Sequence, residues 1–69
     1  DIDCVDPAYA PATGYLEPGG LSNQDLIYFL KRLSLLENFR GADIVEINPN
    51  KDINNITVKL GAKLLAEMI

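Results

Sequence analysis

The sequence contains no histidine and no tryptophan, and it has a single cysteine, Cys4. Without histidine the chain supplies neither an imidazole base nor an imidazole metal ligand, so a self-contained Cys–His or Ser–His nucleophile is excluded. One cysteine cannot form an internal disulfide framework. This fits a reduced, cytoplasmic location, with Cys4 read as a small apolar residue. Basic residues are also scarce: six Lys and Arg stand against ten Asp and Glu, for a net charge of −4. Phosphate backbones are bound by clustered cations, so this balance argues against a nucleic-acid partner and is compatible with cationic ligands. No apolar run approaches the roughly 20 residues of a membrane-spanning helix, and no basic-then-apolar leader is present, so no membrane association is expected.

What remains is globular in character, 48% hydrophobic and 23% charged. A unit of this size buries only about 60% of the surface its unfolded chain exposes, so its independent stability would be marginal. The chain opens on Asp1-Ile-Asp-Cys-Val5, an apolar run with no polar lead-in, and is expected to begin inside a domain.

Ile2, Cys4 and Val5 read as a first strand, stopped by Asp6-Pro7 because proline cannot donate to a sheet. From Asp6 to Gly20 there are too many prolines and glycines for a regular element, so a long loop is expected, of a kind that is usually functional. Ser22 and Asp25 have the spacing of a helix start. Leu26, Leu30 and Leu33, widened by Ile27, Phe29 and Leu36, then predict an amphipathic helix over residues 23–37. After a turn at Gly41, residues 42–47 read as a second strand ending before Pro49, and residues 48–52 as a second loop. Ile56, Leu60, Leu64 and Met68 predict a helix from about residue 55 to the end, with Lys59, Lys63 and Glu67 on its outer face and Lys63 and Glu67 paired at i, i+4. The order β-loop-α-β-α implies parallel strands joined by a right-handed crossover. Parallel strands need both faces covered and neighbours on their edges, so most of the sheet is expected to lie outside this chain.

Residues i and i+2 of a strand point to one side, so Asp1 and Asp3 are expected to project their carboxylates together near a strand end. Two such groups repel, and a hard divalent cation relieves the repulsion. The same spacing is also that of a solvated strand end, or of a pair that holds a diphosphate-bound metal in a nucleotide-sugar transferase. An EF-hand is excluded, since Val5 and Ala12 stand where its loop requires oxygen ligands. Asp6, Glu17 and Asp43 read as turn or capping residues.

The longer stretch from Asp1 to Leu21, with its Asp-x-Asp run, Asp6-Pro7, Pro11-Ala-Thr-Gly14 and Gly19-Gly-Leu21, resembles the signature of the arginase/agmatinase family of ureohydrolases. The resemblance continues through Asp43-Ile-Val-Glu-Ile-Asn-Pro49 into the last helix, so it covers all 69 residues. It implies an arginase-like α/β fold, a three-layer αβα sandwich with a parallel sheet, of which residues 1–69 would be the carboxy-terminal part of a single domain. It also implies a centre of two Mn²⁺ ions, with Asp1 bridging them and Asp3 binding one, and a metal-bridging hydroxide that attacks a guanidinium carbon. The family's remaining ligands, from a Gly-Gly-Asp-His and an Asp-Ala-His-x-Asp segment, are absent here. Glu46 matches the glutamate that pairs with the substrate guanidinium, a cation that accepts a bidentate carboxylate. Without the resemblance, Glu46 would read as a surface charge.

The implied protein is a cytoplasmic homo-oligomer acting on a small guanidino substrate. At Tyr15 the sequence departs from the family, whose Thr-Gly turn continues with Thr and Pro near the substrate. The run Glu17-Pro-Gly-Gly20 is closer in style to agmatinases than to arginases. An agmatinase-like hydrolase is the leading expectation. The alternatives are an arginase or another ureohydrolase such as a guanidinobutyrase, and, of another class, an inactive member serving as a binding or structural protein.

Overall fold

A computed structural model describes all residues, 1–69. Two α-helices dominate, α1 over Asn23–Leu33 and α2 over Ile56–Met68, each preceded by a single 3₁₀ turn, Ile2–Cys4 and Pro49–Lys51. α1 starts where the sequence signals it. The Ser22 hydroxyl accepts the Asp25 N–H at 3.0 Å and the Asp25 carboxylate reaches back to the Ser22 N–H at 3.4 Å, a reciprocal capping box. It ends at Leu33 rather than at residue 37. The Ser34 hydroxyl donates to the Lys31 carbonyl at 2.8 Å, and Leu35 and Leu36 donate three residues back instead of four. Such tightening unwinds the last turn. Leu26, Ile27 and Leu30 pack on the core, whereas Phe29, Leu33 and Leu36 remain exposed.

Neither expected strand forms. Residues 2–4 wind into the 3₁₀ turn because the Asp1 carboxylate accepts the Asp3 N–H at 3.0 Å, which rewards a turn over an extended chain. What survives of the β reading is one parallel bridge between Val5 and Leu21, closed by Asp6 N–H to the Leu21 carbonyl at 2.8 Å and Leu21 N–H to the Cys4 carbonyl at 2.9 Å. Residues 42–47 join no ladder. Their link to the first segment is the Ile2 N–H donating to the Val45 carbonyl at 3.2 Å, and Glu46 breaks the extended path with φ +73°.

Residues 6–20 form the expected loop, and its closure is specific. The Asp6 carboxylate accepts the N–H groups of Ala8, Gly19 and Gly20 at 2.9, 2.9 and 3.2 Å. Gly20 leaves the room this requires, since a Cβ there would stand 2.7 Å from the Asp6 nitrogen. At α2 the Asp52 carboxylate does similar work, accepting from Ile53 and Thr57 on one oxygen and from Val58 on the other. Asn54 and Asn55, both at positive φ, carry the chain between Asp52 and the helix in a conformation that asparagine tolerates well.

The core is small: Ile2, Val5, Ala10, Leu60 and Leu64, with the half-buried Leu26, Ile27, Leu30, Ile44 and Ile47 packed on it. On α2 the buried residues Thr57, Leu60, Gly61 and Leu64 make one continuous face. Lys63 and Glu67 pair at 3.5 Å on the outside, as their spacing predicts. No helix is long and apolar enough to cross a membrane.

Candidate functional site

Asp1 and Asp3 sit on the 3₁₀ turn that precedes Val5. At three residues per turn, positions i and i+2 lie about 120° apart, so the shared strand face expected from the sequence is not what relates them. Instead Asp1 spends Oδ1 on the Asp3 N–H, which ties the first side chain to the backbone of the second. Asp1 is exposed and Asp3 half-buried. Ile2, the residue between them, is buried in the core, and its N–H holds the Val45 carbonyl. One hydrogen bond therefore sets the Asp1/Asp3 turn beside Glu46, and the three expected site residues lie on two adjoining segments.

Glu46 is exposed and carries the most unusual backbone geometry of any acidic residue in the chain. A non-glycine residue in the left-handed region costs about 1–2 kcal/mol, comparable to or more than one net hydrogen bond of about 1 kcal/mol returns. The conformation is fixed from both sides. Val45 is held through its carbonyl, and Asn48 donates its N–H to the Ala12 carbonyl at 2.8 Å. Ile47 packs on the core at buried Gly61, where a Cβ would stand 2.6 Å from Ile47 Cδ1.

The Pro11–Gly14 turn joins this arrangement. The Ala12 N–H donates to Thr57 Oγ1 at 3.1 Å in a buried bond that spans 45 residues, and its carbonyl receives Asn48. Thr13 is 1% exposed, and its hydroxyl has no hydrogen-bond partner within the chain. Beyond it Tyr15 and Leu16 stand in solvent, 64% and 51% exposed. Sequence reading missed Thr57 and Asp52. Asp52 was findable, since an acid a few residues before an apolar helical row is a capping signal. A threonine at the second position of a helix carries no such signal.

Two carboxyls titrate below their ordinary range. For Asp6 the leading cause is the Ala8 N–H, then Gly19, with Gly20 adding and desolvation opposing. For Asp52 desolvation pushes upward, but the Val58 and Thr57 N–H groups, the Thr57 hydroxyl and the Ile53 N–H outweigh it. Both are committed to structure. A half-open hollow of about 100 Å³ bordered by Asp1, Cys4 and Asp43 is otherwise apolar, and neither Asp3 nor Glu46 lines it.

A model of the family described as the arginase family matches residues 1–69. The chain belongs to the arginase family. Among the arginase-family proteins it resembles, mitochondrial arginase 1 of Arabidopsis thaliana is 44% identical over 69 residues, which is 99% of this chain and 20% of that protein. The agmatinase of Proteus mirabilis is 42% identical, over all of this chain and 22% of its own length. Proclavaminate amidino hydrolase from Streptomyces clavuligerus superposes with a TM-score of 0.91 at 40% identity, over 99% of this chain and 23% of that one. The chain thus spans about a fifth of the length of the curated relatives it matches.

The donor set bears on the metal that this family implies. No group of three or more His, Cys, Asp or Glu side chains that could hold an ion forms within these residues. Asp1 and Asp3 nonetheless offer hard carboxylate oxygens on one turn, and neither they nor Glu46 has a cationic side chain as partner. Two carboxylates of one turn without counter-charge have the donor chemistry of a partial divalent-cation site, and a third on the neighbouring segment has that of an organic-cation partner.

Proposed function

We propose that the protein carrying this chain is a ureohydrolase, a hydrolase that cleaves a C–N bond of a linear amidine and releases urea from a guanidino substrate in the agmatinase manner. The observation that carries the reading is the juxtaposition, through the Ile2–Val45 hydrogen bond, of the Asp1/Asp3 turn with a strained, unpaired Glu46. Relatives named arginase, agmatinase and amidino hydrolase support it. Residues 1–69 form part of a single arginase-like αβα domain with a parallel sheet.

In this reading Asp1 and Asp3 help to hold two manganese ions, with His and Asp ligands contributed from elsewhere in the protein. When bound, the ions supply a water acidic enough to attack at neutral pH. Glu46 would receive the guanidinium through two parallel N–H···O contacts and so fix the orientation of its plane. The Asp1 Oδ1 bond to the Asp3 N–H ties the two residues into one turn. Tyr15 and Leu16, both exposed, stand where the sequence departs from the family pattern near the substrate, so substrate preference is what the experiment must decide.

The test is manganese content together with urea release from agmatine, arginine and guanidinobutyrate, measured on the protein that carries this chain. Two equivalents of metal with agmatine as the best substrate is the expected result. Preference for arginine makes it an arginase, and metal binding without urea release from any of the three makes it a binding or structural member of the family.

A further inference from the structure

α2 carries no expected site residue, yet its buried face holds the Glu46 segment at two points one turn apart. At the first, Thr57 Oγ1 accepts the Ala12 N–H at 3.1 Å, and the Ala12 carbonyl accepts the Asn48 N–H at 2.8 Å, two residues beyond Glu46. Ala12 and Thr57 are both fully buried, so neither group can exchange its partner for water. At the second, Gly61 leaves the space that Ile47 occupies. Thr57 and Gly61 are i and i+4 on one helix and share a face. Thr57 is itself set by its own N–H, held by the Asp52 carboxylate at 3.0 Å.

A residue at φ +73° does not hold its conformation unaided, because extended and right-handed alternatives are both more favourable for glutamate. Something outside it must exclude them. We propose that Thr57 is a positioning residue for Glu46: through Ala12 and Asn48 its hydroxyl pins the chain that keeps the Glu46 carboxylate in its working place. This rests on the reading of Glu46 as the guanidinium partner. The hydroxyl accepts from Ala12 and donates to the Asp52 carboxylate, two contacts that no aliphatic side chain on this otherwise apolar helix face can supply.

The experiment uses the full-length enzyme loaded with manganese and measures kcat, KM, metal content and melting temperature. Thr57→Val keeps the shape and removes both the acceptor for the Ala12 N–H and the hydroxyl's donation to the Asp52 carboxylate, while Asp52 keeps the Ile53, Thr57 and Val58 N–H groups. It is expected to lower kcat/KM about tenfold, chiefly through KM, with both metal equivalents retained, since a displacement near 1 Å at a binding group is enough for such a loss. Thr57→Ser, which retains the hydroxyl, recovers most of that loss.

The decisive arm repeats Thr57→Val in a Glu46→Gln background, where the two losses are expected not to add because they strike one contact. Full additivity, or equal losses in the serine and valine variants, overturns the proposal while leaving the role of Glu46 intact. Wild-type kinetics for Glu46→Gln alone overturns the role of Glu46, and the proposal falls with it. If Thr57→Val does not accumulate as folded protein, Gly61→Ala strikes the second hold. Its loss must be relieved by adding Ile47→Val, which removes the colliding Cδ1, and must likewise vanish in the Glu46→Gln background. Failure of either condition also overturns the proposal.

Discussion

Asp6 and Asp52 each accept three backbone N–H groups, whereas Asp1 accepts one and neither Asp3 nor Glu46 has a cationic partner. The first two carboxylates are saturated by the chain's own donors and close a loop and a helix end. The others retain oxygens for something the chain does not contain. A carboxylate engaged by three amides is a structural anchor whose charge is already compensated. One left without such compensation stays available to a cation, which is the role proposed above for Asp1, Asp3 and Glu46.

The sharpest way to break this contrast is Asp3→Ala in the full-length protein. Loss of a ligand should reduce metal content below two equivalents and lower turnover by at least about a hundredfold while circular dichroism is unchanged. Two retained equivalents with normal turnover would remove Asp3 from the open class. Next in size is Glu46→Gln. Hydrogen bonds to charged groups contribute about 1.5–3 kcal/mol, so kcat/KM should fall roughly ten- to a hundredfold with manganese stoichiometry unchanged. Lost metal would instead make Glu46 a ligand.

Smaller effects on activity belong to the anchors. Asp6→Asn keeps the shape but offers one acceptor oxygen where two are used, so the melting temperature should drop by a few degrees while metal content is preserved. Unchanged melting would mean that the clasp carries no stability. The same anchors set an acid limit. Both carboxyls titrate lower in the folded chain than in the unfolded one, so the stability they contribute is fully present above the ordinary carboxylate value near 4. It is lost as pH falls through their lowered native values. Melting followed from pH 5 to pH 2 should therefore fall less steeply in Asp6→Asn than in the wild type, and identical slopes would count against the assignment.

The helices were legible because their signals are local. Ser22 with Asp25, and the Leu60/Leu64 row, state in a few residues what the structure then does. Only the end of α1 escaped, where the Ser34 hydroxyl competes for a helical carbonyl. The proposed site segments were less legible in shape than in composition. Asp1, Asp3 and Glu46 could be nominated from residue type and motif, but the Asp1 side chain favours a 3₁₀ turn where the sequence read as a strand. Nothing in the word Val-Glu-Ile announces a left-handed glutamate. The segment around it is held by the Asn48–Ala12 bond across 36 residues and by Ile47 against Gly61 across 14, and periodicity reports only neighbours.

The clasp between Asp6 and the Gly19-Gly20 amides divides the loop it closes into a constant part and a replaceable one. Its base is fixed by main-chain groups that make no demand on side-chain identity within the tip, and Tyr15, Leu16 and Glu17 at the tip stand in solvent. Within these residues, none of the hydrogen bonds that close the loop runs through the side chains of those three positions, so their identity is uncoupled from the turn that carries Asp1 and Asp3. If the proposed function holds, the loop tip is where a change of substrate preference would be sought, by selection or in a combinatorial library.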